Sequence, residues 1–536
     1  MGSNPPPASQ VTANTATPLA PFTAEQYFLE DYRHTLFPLS TTRLLVEKFS
    51  KELRDYVASG TPFRSQTRCS AAKRGFHLRR TVKLDPPSEL FIYDLVFRNR
   101  KHFRADHSPN RSSFGFLFKN GKPISSKTAY QQYRAAIFGA KSRYKFGMRF
   151  DVASYFNSLY HHDLVSRFRE IGASEEDVNV YGRFLREINS GRSLDCLPHG
   201  LHPCKVLGAD FLKFIDNSVR LRSPDLIRFL DDFNVFADSE KAIQSDFILI
   251  QELLSERGLF LNEGKTALAS DFGRSITEEI DEIKSQLLRA RRELVDPSGI
   301  ELADEFLDED DDDDADDDVS DEELSEAMER FPVEIVNDDI EQSDVLSQEQ
   351  IEYLLSLLNN SDIDESDAEL ALVLLRDHGD DVLRHMGNLL LKFPSLARTV
   401  YQFSSYIDDK SELCSFVLRF LRGEHFITEY QLFWITKMLE DQLSKQPCYG
   451  NALALLYGHP SSTPITRAKL LEIPELRFGL PELRESVVRS GQCDWPAWAA
   501  AVGSRMENPA KRNHLLGYFK NGGPMNQLIG DCVIKL

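Results

Sequence analysis

Three aspartates, in two short settings, are the residues of this chain best suited to chemistry. The stretch Leu226-Ile227-Arg228-Phe229-Leu230-Asp231-Asp232-Phe233-Asn234-Val235-Phe236-Ala237 places two adjacent carboxylates between apolar runs rich in branched and aromatic residues. That is the pattern of a β-hairpin with a two-residue turn, and the turn is expected to carry both carboxylates. Neighbouring anions repel, so such a pair is tolerated best where solvent or a divalent cation takes up the charge. A solvated hairpin tip would explain the pair equally well. The third aspartate changes this balance. Tyr144-Lys145-Phe146-Gly147-Met148-Arg149-Phe150 alternates apolar and polar residues and delivers Asp151 at a strand end, followed by Val152-Ala153-Ser154-Tyr155-Phe156. Three carboxylates on neighbouring strand ends could form an oxygen cage for Mg²⁺, and two such ions support in-line phosphoryl transfer.

The elements needed to hold this cage are those of a polymerase palm, and several motifs agree in order. Phe150-Asp151-Val152-Ala153-Ser154-Tyr155-Phe156 resembles the first catalytic motif of the reverse transcriptases, an apolar strand, an aspartate and an aromatic five residues on. Leu197-Pro198-His199-Gly200, with Cys204 and Leu207 beyond, resembles their Leu-Pro-Gln-Gly motif, and Phe229-Leu230-Asp231-Asp232 resembles Tyr-x-Asp-Asp. Gly258-Leu259-Phe260-Leu261-Asn262-Glu263-Gly264-Lys265-Thr266 is similar to the Gly-Leu-x-Leu-Asn-x-x-Lys-Thr motif that follows. Within that family the segment Arg79-Arg80-Thr81-Val82-Lys83-Leu84-Asp85-Pro86, then Ser113-Phe114-Gly115-Phe116, is similar to the bacterial abortive-infection, or defence-associated, group. The chain departs from the family at Phe229 for Tyr, His199 for Gln, and Cys204-Lys205 for Ser-Pro.

The resemblance implies a role for each matched residue. Asp151, Asp231 and Asp232 would bind two Mg²⁺ ions, with Mn²⁺ able to substitute, and Lys265 would protonate the pyrophosphate leaving group. Phe156 would sit under the sugar of a dNTP. His199, Gly200 and Phe229 would line the substrate site, with Arg79, Arg80 and Lys83 as triphosphate contacts. The implied function is antiviral (anti-phage) DNA synthesis from dNTPs that need not use a conventional template or primer, with a protein hydroxyl starting the chain and RNA as the template where one is used. A catalytically silent palm that senses nucleic acid or nucleotide and signals through a helical domain after it is the alternative. A second copy or a partner defence protein is a further expected partner.

Composition bounds the remainder. The chain has 536 residues, a formal net charge of −20, and 41% hydrophobic content, enough for two to four domains and a sizeable core. From Arg64 to Arg149 there are 20 Lys or Arg against 4 Asp or Glu, with aromatics interleaved, a footprint for nucleic acid or nucleotide phosphates. From Asp296 to Asp344 there are 24 acidic residues against one basic. Such density cannot bury a core, so an exposed insert is expected there. After about Ser347 apolar residues recur at three-to-four spacing with regular breaks, as in α-solenoids.

The expected architecture is therefore α+β: a right-hand polymerase fingers-palm domain followed by an α-helical repeat domain. The expected boundaries are a disordered tail over 1–21, fingers and palm over 22–275, a connector helix and acidic insert over 276–345, and helical repeats over 346–536. No apolar run long enough to span a membrane is present, and the expected compartment is the cytoplasm. Seven irregularly spaced cysteines are expected to be reduced thiols. Cys196, His199, His202 and Cys204 are too crowded to surround one zinc ion. His161-His162 suits surface or packing roles, and Arg419 with His425 has ribonuclease-like Arg-x5-His spacing that helix ends also produce.

Overall fold

The computed structural model describes residues 22–104, 110–192, 197–270, 348–360 and 363–536. The expected tail, the connector helix, the acidic insert and Cys196 lie outside these residues.

The fingers begin with helices α1 (Ala24–Tyr32) and α2 (Ser40–Ala58), then the hairpin β1 (Thr67–Lys73) and β2 (His77–Lys83), and helix α3 (Pro86–Arg98). Helix α3 starts where it does because the Asp85 side chain accepts from Ser88 N at 2.9 Å and two prolines occupy its first turn, where no donor is needed. Strand β3 (Arg111–Phe114), the short hairpin β4 (Phe118–Lys119) and β5 (Lys122–Pro123), and helix α4 (Ser126–Arg143) complete them.

The palm is built from β6 (Phe146–Asp151), α5 (Tyr155–Ser158), α6 (His161–Glu170), α7 (Glu175–Ile188), α8 (His202–Phe211), α9 (Lys213–Asp216), β7 (Asp225–Phe229), β8 (Asp232–Ala237), α10 (Glu240–Ser255) and β9 (Ala267–Ser270). One five-stranded sheet has the order β3-β7-β8-β6-β9, with β3 parallel to β7 and every other pair antiparallel. Alternation along the strands divides its faces. Phe150 and Phe233 are fully buried and stack at 5.3 Å, with Phe247 of α10 against Phe150 at 5.2 Å. Their neighbours Asp151 and Asp232 therefore face the other side. There α4 covers the β7–β8 half, packing Tyr133, Ala136 and Ala140 on Ile227 and Phe236. This is the fingers-and-palm arrangement expected from the sequence.

The described residues from 348 to 535 are mainly helical, and most of these helices pack on the next or the next but one, a two-row arrangement like that of a solenoid. This region is not set apart. Its buried leucines and aromatics join those of the fingers and palm in one continuous core. Phe37 packs edge-on against Tyr430 and Phe433, the Glu472 carboxylate accepts from Ser40 N and Thr41 N at 2.9 and 2.8 Å, and Trp495 Nε1 donates to Lys83 O at 3.4 Å.

The expectation of seven reduced cysteines is corrected. Cys414 and Cys448 are joined as a disulfide, while Cys69, Cys204, Cys493 and Cys532 are free. The pair is 34 residues apart in sequence, and only the packing of helix Lys410–Arg422 beside Tyr449–Gly458 brings the two thiols together. Among the described residues no helix is long and apolar enough to cross a membrane.

Candidate active site

The three aspartates converge as the strand pattern requires, with one correction. The turn consists of Leu230 and Asp231, while Asp232 is the first residue of β8, directly opposite Asp151 in register. Only one carboxylate therefore sits in the turn. Leu230 has φ +57, a left-handed conformation that a leucine adopts only when its surroundings enforce it. They do so through Arg228. Its side chain is fully buried, its Nε lies 2.9 Å from Asp216 Oδ1, and its Nη1 donates to Leu230 O at 2.7 Å. The end of α9 thus holds the turn that carries Asp231. Neither residue stands out among the family motifs, although an arginine inside the apolar run Leu226-Ile227-Arg228-Phe229 is a sequence signal that a buried anion must exist. Arg228→Lys is expected to lose the fork and the turn contact together, costing about 1–3 kcal/mol of stability. Chemical denaturation measures this; an unchanged midpoint would show that the turn holds itself.

The carboxylates differ electrostatically. Asp151 Oδ2 accepts from Lys265 Nζ at 2.6 Å, while its Oδ1 is buried with no hydrogen-bond partner. Asp232 is partly exposed and lies 3.4 Å from the Arg149 guanidinium. Asp231 is pushed up to about 6, by burial first and then by the nearby Asp232 and Asp151 charges. Lys265 reaches Asp151 because Asn262 N donates to Asp151 O at 2.9 Å and Ala153 N to Phe260 O at 2.7 Å, which lay the loop before β9 along the end of β6.

Among the described residues, no group of three or more His, Cys, Asp or Glu side chains is drawn together tightly enough to hold a metal ion. The expected three-aspartate cage is therefore gathered but not closed. Mutual repulsion and the cations on Asp151 and Asp232 account for the spacing. The donor set still fits a hard divalent ion: oxygen donors only, one buried orphaned oxygen, and a carboxylate whose ionisation is opposed by its neighbours.

The expected substrate residues fall into three groups. Phe156 and His199 meet, ring centroids 4.6 Å apart, and Gly208 gives Phe156 its room against α8, since a Cβ there would lie 3.3 Å from the Phe156 ring. His199 N donates to Thr81 Oγ1 at 2.8 Å, tying the Leu-Pro-His-Gly turn to β2. Its imidazole is pushed down to about 3, by burial first and then by Arg79, Lys205 and Lys73, so it is neutral, and its Nε2 is buried without a partner. Gly200, at φ +84, has a structural duty: a Cβ would lie 2.7 Å from the Leu36 side chain.

Phe229 forms the second group, packed within 5.3–5.7 Å of Tyr133, Phe116 and Tyr130. Lys205, where the family has proline, lies over the Phe116 ring at 5.1 Å.

The fingers cations make the third group. Arg79 and Arg80 are exposed on β2. Lys83 is placed differently from the expectation. It is buried, its Nζ 2.6 Å from Glu89 Oε2, and Trp495 covers it. The hairpin projects at its tip but is enclosed at its base by α3 and the C-terminal helices, so Lys83 balances Glu89 instead of a triphosphate. The other candidates remain structural. His202 Nδ1 lies 2.6 Å from Tyr27 Oη, His161 is buried while His162 is exposed, and Arg419 pairs with Glu412 at the surface while His425 packs on Phe420.

Residues 110–354 match the family model Reverse transcriptase (RNA-dependent DNA polymerase). The chain contains a reverse transcriptase domain. The matched span includes β3, α4 and all three aspartates, and begins after the β1–β2 hairpin. Among solved structures, apo telomerase from Candida tropicalis is 11% identical, with 77% of this chain and 74% of that chain covered and a TM-score of 0.30. Telomerase from Candida albicans in complex with a TWJ fragment of telomeric RNA is also 11% identical, with 79% and 66% covered and a TM-score of 0.27. At these scores neither bears on the activity of this chain. No curated protein matches it.

Proposed function

We propose that this protein polymerises dNTPs into DNA, with Asp151 and Asp231 as the metal-binding carboxylates and Asp232 in support. The observation that carries this reading is the convergence of the three carboxylates at the β6–β8 strand ends, with Asp151 Oδ1 buried and unbonded and the Lys265 ammonium on Oδ2. Bound Mg²⁺ would supply Lewis acidity to the attacking hydroxyl and to the α-phosphate. Lys265, released from Asp151 by that charge, would carry the proton to the departing pyrophosphate. Arg79 and Arg80 on the open part of β2 are suited to hold the triphosphate, and Phe156 sets the floor beneath the sugar.

The role we assign is antiviral defence, with synthesis started on a protein hydroxyl and guided, where a template is used, by RNA. Support comes from the sequence resemblance and from the altered residues Phe229, His199 and Cys204-Lys205 beside an intact aspartate trio. The decisive experiment incubates the purified chain with Mg²⁺ and labelled dNTPs, with and without template and primer, and digests the product with protease. A template- and primer-dependent product free of protein would refute protein priming. No product under any condition would favour a non-catalytic sensor.

Phe156 also yields a prediction on sugar choice. Its ring is buried, so truncation to alanine would cost about 3–5 kcal/mol through the cavity alone. Phe156→Leu keeps much of the packing, and is expected to narrow the preference for dNTP over rNTP by about tenfold. Competition between labelled dNTP and rNTP checks it; an unchanged ratio places the sugar filter elsewhere.

A further inference from the structure

Helix α4 presents a face that the polymerase reading leaves unused. Its sequence, Ser126-Lys127-Thr128-Ala129-Tyr130-Gln131-Gln132-Tyr133-Arg134-Ala135-Ala136-Ile137-Phe138-Gly139-Ala140-Lys141-Ser142-Arg143, contains four basic residues and no acid. The buried side, Tyr133, Ala136 and Ala140, rests on the palm sheet. On the outer side Tyr130 is 50% and Phe138 78% exposed, and Arg134 and Lys141 are exposed as well. At 100° per residue these four fall within an arc of about 80° and span roughly 16 Å along the axis. The stripe alternates aromatic, cation, aromatic, cation.

Single exposed aromatics on a surface need no explanation. Here two share one stripe, a cation lies between them, and Arg134 makes no ion pair with any described residue. The stripe also begins at the catalytic hairpin. The Tyr130 ring lies 5.7 Å from Phe229, and on the next turn Tyr133 Oη accepts from Asn234 Nδ2 at 2.7 Å, on the same sheet face as Asp232.

We infer that the outer face of α4 binds single-stranded nucleic acid, with bases stacked on Tyr130 and Phe138 and phosphates paired with Arg134. Aromatic rings at this spacing take bases irrespective of sequence, and a helix free of carboxylates does not repel the backbone. About 16 Å of helix accommodates roughly three nucleotides of strand. An acidic protein segment is the competing occupant; the exposed rings favour a ligand with flat π-faces. The inference rests on the polymerase reading for its place beside the catalytic turn, but not for its chemistry.

The test measures binding of a short labelled oligothymidylate to the full chain by fluorescence anisotropy, in chelator and without nucleotides, so that no catalysis is required. Arg134→Gln is expected to weaken binding about tenfold and to reduce the salt slope by about 0.7. Phe138→Leu is expected to weaken it about tenfold, and Phe138→Tyr to retain wild-type affinity. Both side chains point outward, so melting temperatures should not change. Wild-type affinity in Arg134→Gln overturns the proposal. So does wild-type affinity in Phe138→Leu, because an apolar protein contact tolerates leucine and a stacked base does not. Failure of the wild-type chain to bind the strand overturns it as well. Strand binding that responds as expected, in a chain that incorporates no nucleotide, would sink the polymerase reading and leave the strand path standing.

Discussion

Asp231→Asn is expected to abolish nucleotide incorporation and, in metal-free buffer, to make the protein more stable. Loss of a residue that merely orients a metal ligand costs 10- to 100-fold, so loss of a ligand itself should cost at least about a hundredfold. The stability gain follows from the ionisation of Asp231. Its folded-state value of about 6 lies above that of an ordinary aspartate, because burial and the Asp232 and Asp151 charges oppose its negative form. A group raised in the folded state binds its proton more tightly there. The protein therefore loses stability as pH rises from about 4 through about 6, and remains strained above that. With water still reaching the turn, the penalty is on the order of 1–3 kcal/mol. Asparagine carries no charge, so the gain should be present above pH 6 and vanish below about pH 4.

Asp151→Asn should lose activity equally. Its effect on stability should be small, since the Lys265 partner it abandons is half exposed. Thermal melts across pH in chelator, with incorporation assays alongside, read both effects. Substantial incorporation by Asp231→Asn would sink the metal-ligand assignment, and a melting temperature at or below wild type above pH 6 would sink the account of strain.

A large loss of stability is expected from Lys469→Met, far from the aspartates. Lys469 and Glu472 are completely buried, and the ammonium lies 2.6 Å from Glu440 Oε2 and 2.8 Å from Glu472 Oε1. The Glu472 carboxylate also accepts the first free N–H groups of α2, where the helix dipole favours an anion. Removing the lysine would leave the buried Glu472 carboxylate without its cation beside the partly buried Glu440, at a cost of about 3–5 kcal/mol. Because the network joins the C-terminal helices to the fingers within one core, the whole chain should lose stability together. Urea denaturation followed by tryptophan fluorescence and by far-UV circular dichroism should show coincident transitions, both shifted to lower denaturant. Two separated transitions, with only one moved, would show that the helical region unfolds on its own and that the shared core does not couple it to the polymerase. Lys469→Met combined with Glu472→Gln should recover part of the loss, since the amide removes one unpaired charge while still accepting from α2.

Local sequence pattern was enough to put the three carboxylates at the strand ends and to give the order of the parts. Asp151, Asp231 and Asp232 could be placed because each follows or precedes a strand whose period-two pattern is local, and strand pairing then leaves few ways to arrange the ends. The basic fingers before the palm and the helical periodicity after it were legible for the same reason: composition and periodicity are properties of neighbours in sequence. What only the tertiary structure decided is where side chains from distant segments meet. Lys83 reads as a triphosphate contact in its motif and is instead neutralised by Glu89 under Trp495, because the base of the hairpin is enclosed by helices hundreds of residues later. Arg228 and Asp216, which hold the Leu230-Asp231 turn, carry no motif, and the Cys414–Cys448 link depends on two helices packing side by side. Phe156 and His199 belong to separate motifs, and their rings meet only in the folded chain, where Gly208 of α8 leaves room beside Phe156. Burial is the physical reason in each case. A charge or ring read in isolation faces water, and whether it keeps that exposure depends on what the rest of the chain brings against it.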